Sequence, residues 1–307
     1  MSRASAPGKI ILFGEHAVVY GRPALAVPVM QVHADVDVAD GSRPGVWIHA
    51  PDVDLHAELS SLPSDHPLGA AARLFFSRFG VSPPPLEIHV SSSIPVASGL
   101  GSGAAVTVAL LRALSSALQH PLSAEEMNSL AYEIEKLHHG APSGIDNTVV
   151  THAKPVYFVR GQPVETFKVG APFTLVIADT GVAAPTRESV GDVRRLWEAD
   201  RPRWEKVFDA VGEIVRTAKE KIENGEWRAL GALMDSNHSL LQRLAVSSPE
   251  LDRLVESARE AGALGAKLSG GGRGGNMIAL VEKADAPAAA EALKSAGAKR
   301  TIVTEVV

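Results

Sequence analysis

Three groups of side chains carry the chemistry this sequence could do. In "APGKIILFGEHAVVYG", residues 6 to 21, Lys9, Glu15 and His16 set a cation, a carboxylate and an imidazole around a short apolar run. Such a set could hold a polar substrate and lower the energy of an alkoxide; the plain alternative is an exposed lysine beside a surface turn. In "EIEKLHHGAPSGIDN", residues 133 to 147, Glu135 falls in the last turn of a helix and Asp146 in a Ser-Gly-Ile-Asp turn. The negative end of a helix dipole disfavours a carboxylate unless a cation offsets it, so Glu135 is a candidate metal ligand. Asp146 could accept a proton or cap a short helix; taken alone, Asp146 reads first as a turn former and Glu135 as a solvated carboxylate. The third group is a loop poor in side chains, "PVASGLGSGAA", residues 95 to 105, with Gly99, Gly101 and Gly103. Glycines let successive N–H groups turn inward as an anion-holding nest. The apolar helix that follows adds its free N–H groups and positive dipole end, which favours phosphate. The pattern is not a Walker A loop, and a tight turn made for packing alone is the competing reading.

These groups need elements to hold them. "KIILF", "ALAVPV", "VHADVDVAD", "GVWIHA" and "LEIHVSSS" read as short strands, several of them alternating apolar with polar residues. Residues 68 to 79 and 102 to 118 read as helices, and a third starts at "SAEEMNSLAYEIEKL". There Ser123 and Glu126 form a capping box, Leu130, Ile134 and Leu137 make one apolar stripe, and Gly140 and Pro142 end the helix. His138 and His139, adjacent at the helix end, point in different directions and lack the i, i+4 spacing of a metal pair. A second part begins near residue 169: the strand "FTLVIAD", long helices over 187 to 244 broken at "ENGEW", and a helix in "SPELDRLVESAREAG". Then follow "ALGAKLS", a glycine loop, "NMIALVE", a helix over "APAAAEALKSAG" and the strand "RTIVTEVV". Strand, helix, strand, strand, helix, strand is the order of a ferredoxin-like split β-α-β unit. The expected class is α+β, with domains at 1–168 and 169–307. Trp197, Trp204 and Trp227 fall in the helical region and read as packing residues.

Composition narrows the classes. A chain of 307 residues suits two domains, and 45% apolar with 21% charged residues is the balance of a soluble globular protein. A net charge of −5 with no run of Lys or Arg offers a nucleic-acid backbone no footprint. With no cysteine, disulfides, thiolate zinc sites and cysteine nucleophiles are excluded. No apolar run reaches a signal h-region or a membrane span, so the expectation is a cytoplasmic protein without a membrane partner.

"PGKIILFGEHAVVYG", "PVASGLGSGAAV" and "KLSGGGRGG" resemble, in order and spacing, the three motifs of the GHMP small-molecule kinases, over essentially the whole chain. Within that family, "GEHAVVYG" followed by "PALAVPV", together with "HGAPSGIDN", is similar to the members that phosphorylate mevalonate; galactokinases follow GEH with Thr-Asp-Tyr. The resemblance implies a two-domain GHMP kinase fold: an N-terminal mixed α/β domain with the phosphate loop and a C-terminal ferredoxin-like domain. It implies ATP as co-substrate, Mg²⁺ as cofactor, and phosphorylation of (R)-mevalonate at its 5-hydroxyl in isoprenoid precursor synthesis. Another GHMP kinase, acting on phosphomevalonate or at the 3-hydroxyl of mevalonate, and a non-catalytic sensor of the same fold stay open as alternatives. Homodimers are common in the family.

Residue by residue, the resemblance implies ATP at Pro95, Ala97, Ser98, Gly99, Leu100, Gly101, Ser102, Gly103 and Ala104. It implies Mg²⁺ on Glu135, Asp146 as base, Lys9 orienting it, Glu15, His16 and Thr186 on the substrate side, and Gly270, Gly271 and Gly272 in the third motif. The chain departs from the family in three places. Gly103 stands where a second serine often supplies a hydroxyl to Mg²⁺, leaving Ser102 as the candidate metal ligand; Ala153 and Lys154 replace a Gly-Gly pair; and "GVAAP", ahead of Thr186, has no basic residue for the substrate carboxylate. Arg273, among the third-motif glycines, reads as an exposed loop arginine, with a phosphate contact as the other reading.

Overall fold

Two long strands open the chain, β1 (Ser2–Phe13) and β2 (Ala24–Asp40). The stretches "ALAVPV" and "VHADVDVAD", separate in the sequence reading, are both part of β2. Pro28 lies between the residues that pair with one neighbour (Ala24 to Ala26) and those that pair with another (Ala34 to Asp40), where its missing N–H breaks neither ladder. The computed structural model describes residues 1–95, 98–139, 142–184 and 186–307. Ala97, Gly140 and the side chains of His138 and His139 lie outside the described residues.

The chain divides into two compact units. The first comprises Met1–Lys9, Val32–Val96 and Leu100–Ala153. In it β3 (Val46–Ala50) pairs antiparallel with β4 (Leu55–Glu58), which the sequence reading left out. After the helix α1 (Pro67–Phe79), β5 (Leu86–Ser92) joins β3 in parallel and β2 antiparallel, giving the order β4-β3-β5-β2. Val46, Ile48, Leu86, Ile88 and Val90 are buried while their neighbours Trp47, His49, Glu87 and His89 take the other face, as period-two alternation requires. Three further helices complete the unit: α2 (Ser102–Ala117), α3 (Ala124–His139) and α4 (Ile145–His152). α2 touches α1, α3 and α4, which explains why so many of its side chains are apolar. The capping box of α3 forms in both directions: Glu126 N–H donates to Ser123 Oγ at 3.1 Å, and Ser123 N–H to Glu126 Oε2 at 3.0 Å. Leu130 and Ile134 are buried, but Leu137 is 54% exposed, so the apolar stripe stops a turn early.

The second unit comprises Ile10–Gln31, Ala97–Gly99 and Lys154–Val307. Two short strands, β6 (Val156–Phe158) and β7 (Glu165–Thr166), precede the buried strand β8 (Phe173–Asp179). The helices α5 (Thr186–Ala199), α6 (Arg201–Glu223), α7 (Leu230–Arg243) and α8 (Pro249–Glu260) then lead to β9 (Gly265–Ser269). β10 (Asn276–Val281), α9 (Ala286–Ser295) and β11 (Arg300–Val306) close the chain. The sheet order is β11-β8-β10-β9 with every neighbour antiparallel. Counted along the chain this is 4-1-3-2, the ferredoxin-like arrangement, with four helices in its first crossover. Among the described residues no helix is long and apolar enough to cross a membrane.

Candidate active site

In the first unit β1 delivers Lys9 and α4 delivers Asp146. The Ser-Gly-Ile-Asp stretch turns only as far as Gly144, the N-cap of α4 at φ +90°, and Asp146 rides in the first helical turn, where the positive dipole end favours a carboxylate. Lys9 Nζ lies 2.8 Å from Asp146 Oδ1, with the lysine side chain 4% exposed and the aspartate 30%. Lys9 is therefore an internal charge whose partner is Asp146, not a surface lysine. α4 is tied to α3: Asn147 Nδ2 donates to Asn128 Oδ1 at 2.5 Å, and Asn128 Nδ2 donates to Thr148 Oγ1 at 3.2 Å. The sequence reading missed Asn128 and Asn147, which carry no signal until α3 and α4 are known to pack together.

Glu135 projects from α3 toward the same charges. Burial first, and Asp146 second, push its carboxyl up to about 8, while Lys9 opposes them. The glycine loop meets Lys9 directly. The Lys9 N–H donates to the carbonyl of buried Leu100 at 3.0 Å, and a Cβ on Gly101 would lie 2.8 Å from Lys9 Cγ. Gly101 also takes φ +74° as N-cap of α2, so both its conformation and its contact demand glycine. Ser102, Gly103 and Ala104 form the first turn of α2, and the N-cap offers no side chain to their N–H groups. Those free N–H groups and the positive dipole end could hold an anion. A side chain at Gly103 would meet nothing within 4 Å, so its place is open. Pro95, half-buried, precedes the loop.

In the second unit the carbonyl of buried Ser98, next to Gly99, accepts from Asn276 Nδ2 at 2.5 Å. Glu15 is not free in solvent: its Oε1 accepts from Lys267 Nζ, and the two side chains are 1% and 0% exposed. Lys267 also donates to the Leu268 carbonyl at 2.6 Å; burial lowers its pKa while Glu15 raises it. His16 Nε2 donates to the Gly271 carbonyl at 3.1 Å, which fixes the proton on Nε2 and leaves buried Nδ1 without a partner. Burial, opposed by the Gly271 hydrogen bond and helped by the charge of Arg273, pushes the imidazole down to about 4, so it is neutral at pH 7. His16 holds φ +60°, a rare conformation for a residue with a Cβ. Gly271 packs on Thr186, where a Cβ would come within 2.6 Å of Oγ1; Gly272, at φ +75°, has the Val246 carbonyl in the place of a Cβ; and Gly270, at φ +89°, faces open space. Arg273 is not an exposed loop arginine: it is half-buried, ion-paired with Asp192, and donates to the Ala245 carbonyl at 3.2 Å. Lys267 was also missed in the sequence. Its signal is a lone lysine in the apolar run "ALGAKLS", matched by a lone carboxylate in the apolar run "IILFGEHAVV".

Comparison with known proteins decides what family this geometry belongs to. The family model for the GHMP kinases N terminal domain matches residues 66–154, and that for the GHMP kinases C terminal matches 218–299. A curated relative, the mevalonate kinase of Pyrococcus abyssi, is 38% identical over 302 residues, covering 90% of this chain and 88% of the relative. The chain belongs to the GHMP kinases. Solved GHMP kinases superpose along its whole length. The L. major mevalonate kinase in complex with R-mevalonate has a TM-score of 0.86 at 30% identity, covering 100% of this chain and 96% of that one. The Methanococcus jannaschii mevalonate kinase has a TM-score of 0.85 at 25% identity, covering 99% and 96%.

Proposed function

We propose that this GHMP kinase transfers the terminal phosphoryl group of ATP to the 5-hydroxyl of (R)-mevalonate, giving 5-phosphomevalonate and ADP, a step of isoprenoid precursor synthesis. The observation that carries the reading is the internal Lys9–Asp146 pair, 2.8 Å apart, beside the first turn of α2. Phosphoryl transfer demands positioning and charge neutralisation more than covalent catalysis, and these residues supply both. The first turn of α2, with Ser102, Gly103 and Ala104, holds phosphate oxygens. Lys9 occupies Asp146 Oδ1, and Oδ2 takes the proton of the substrate hydroxyl. The hydroxyl oxygen bonds to phosphorus as the bond to the ADP oxygen breaks, and ADP leaves with that electron pair. Lys9 further offsets the charge that develops on the transferring group. Glu135, with Ser102 the other candidate ligand, suits Mg²⁺, because a divalent cation removes the cost of ionising a carboxyl held up near 8. Bound there, Mg²⁺ supplies neutralisation of the phosphate charge. Glu15, His16 and Thr186 serve the substrate side: Lys267 fixes Glu15, and His16 acts as a neutral hydrogen-bonding ring.

The test is ADP release by the purified protein with Mg·ATP and, in turn, mevalonate, 5-phosphomevalonate, homoserine and galactose, with phosphorus NMR on the product. Turnover with mevalonate and a phosphate ester at the 5-position is expected. Turnover confined to 5-phosphomevalonate, or a 3-phosphate product, would replace this reading by that of another GHMP kinase.

A further inference from the structure

We propose that the strand face bearing His49, Glu87 and His89 binds a borderline divalent cation of the zinc and nickel class, at a site separate from the chemistry of Lys9, Asp146 and Glu135. One ligand atom from each of the three residues can be chosen so that all lie within 4.8 Å of one another. The sheet register brings them together. β3 and β5 run in parallel with His49 opposite His89 and Trp47 opposite Glu87, and alternation turns all three donors to the face away from Ile48 and Ile88.

The neighbourhood extends the donor row on both sides. His56 of β4 is in register with His49, and the two rings meet edge-on at 4.3 Å between centroids. Asp37 of β2 is in register with His89, and its Oδ1 is buried without a hydrogen-bond partner, with Arg3 Nε 4.0 Å away. Three imidazoles and two carboxylates thus cross four strands on one face. The ring of His49 stacks on that of His89 at 4.5 Å, and His49 Nε2 contacts Glu87 Oε2. Arg43 Nε bonds the other oxygen, Oε1, at 3.1 Å, leaving Oε2 on the imidazole side.

The chemistry of the donors selects the ion. Imidazole suits zinc, nickel and copper, whereas magnesium and calcium take oxygen ligands. Two imidazoles and a carboxylate leave one tetrahedral position open, and His56 is the next donor along the row. A bound ion would clip β3 and β5 together on the face away from their buried residues.

The test uses the untagged full chain, freed of metal with a chelator and titrated calorimetrically with Zn²⁺ and then Ni²⁺ in the presence of excess Mg²⁺. One equivalent of saturable binding and a rise in melting temperature with Zn²⁺ are expected. In the double variant His49→Gln/His89→Gln, binding weakens by at least about tenfold and the temperature shift disappears, while turnover of the metal-free variant with Mg·ATP matches wild type. Absence of saturable binding in the wild type, or equal binding in the double variant, would overturn the proposal.

Discussion

Asp146 and Glu135 both interact with the ammonium of Lys9 and with each other, and their environments divide the work between them. Glu135 loses the competition: burial and the Asp146 charge hold its carboxyl up to about 8, so at pH 7 the metal-free protein keeps a proton there. Because the folded value lies above the ordinary 4.5, this group's stabilisation is fully present below pH 4.5 and is lost as pH rises through about 8. A divalent cation must displace that proton. Binding of Mg²⁺ with nucleotide is therefore expected to release close to one proton at pH 7, fading above pH 8, and calorimetry in buffers of different ionisation enthalpy measures it. The Glu135→Gln variant should release none at this site. Lys267 and Glu15 form the other tightly held charge pair. Truncation of one partner strands the second, so Lys267→Met is expected to cost about 3–5 kcal/mol in denaturant unfolding. Adding Glu15→Leu should recover most of that loss, and a single variant as stable as wild type would show that the pair carries no such constraint.

At the scale of elements, the helix ends set the geometry. α4 is eight residues long and carries Asp146 at its start; it ends at Ala153, held at φ +48° with its N–H on the Val149 carbonyl. A left-handed alanine is strained by its Cβ. Ala153→Gly is accordingly expected to raise stability by about 1 kcal/mol, read as a higher midpoint in urea, with turnover preserved. The strand face of β3 and β5, the capping box of α3 and the ferredoxin-like order of β8 to β11 were all legible in the sequence, because local alternation and capping chemistry determine them. The glycine-rich turn into α2 was legible from its composition, and the Lys9–Asp146 contact from the family resemblance. Lys267, Asn128 and the Arg273–Asp192 pair were not, because each takes its meaning from a partner distant in sequence: Glu15 lies 252 residues from Lys267. The split of the chain into interleaved units was also hidden, since residues 10–31 read as a continuation of the first strands yet group with the second unit.

At the scale of the whole molecule, acid should unfold the protein partly through two buried histidines. Burial pushes both His16 and His238 down to about 4, although Asp252 beside His238 acts in the opposite sense. Between about pH 6.5 and 4 the unfolded chain takes up protons that the folded chain refuses, so stability falls as pH falls through that window. The slope from each ring is at most about 1.4 kcal/mol per pH unit, and urea midpoints from pH 7 down to 5 measure it. His238 accepts from the Leu268 N–H at 3.3 Å, a bond that a protonated ring would break. The central claim is that Asp146, held by Lys9, takes the proton of the substrate hydroxyl. Single-turnover phosphoryl transfer from Mg·ATP to mevalonate by Asp146→Asn, alongside ATP binding, tests it most directly. A fall of about 10²–10⁴-fold in the transfer rate with ATP affinity largely kept is the result this account predicts. Transfer at the wild-type rate would contradict it.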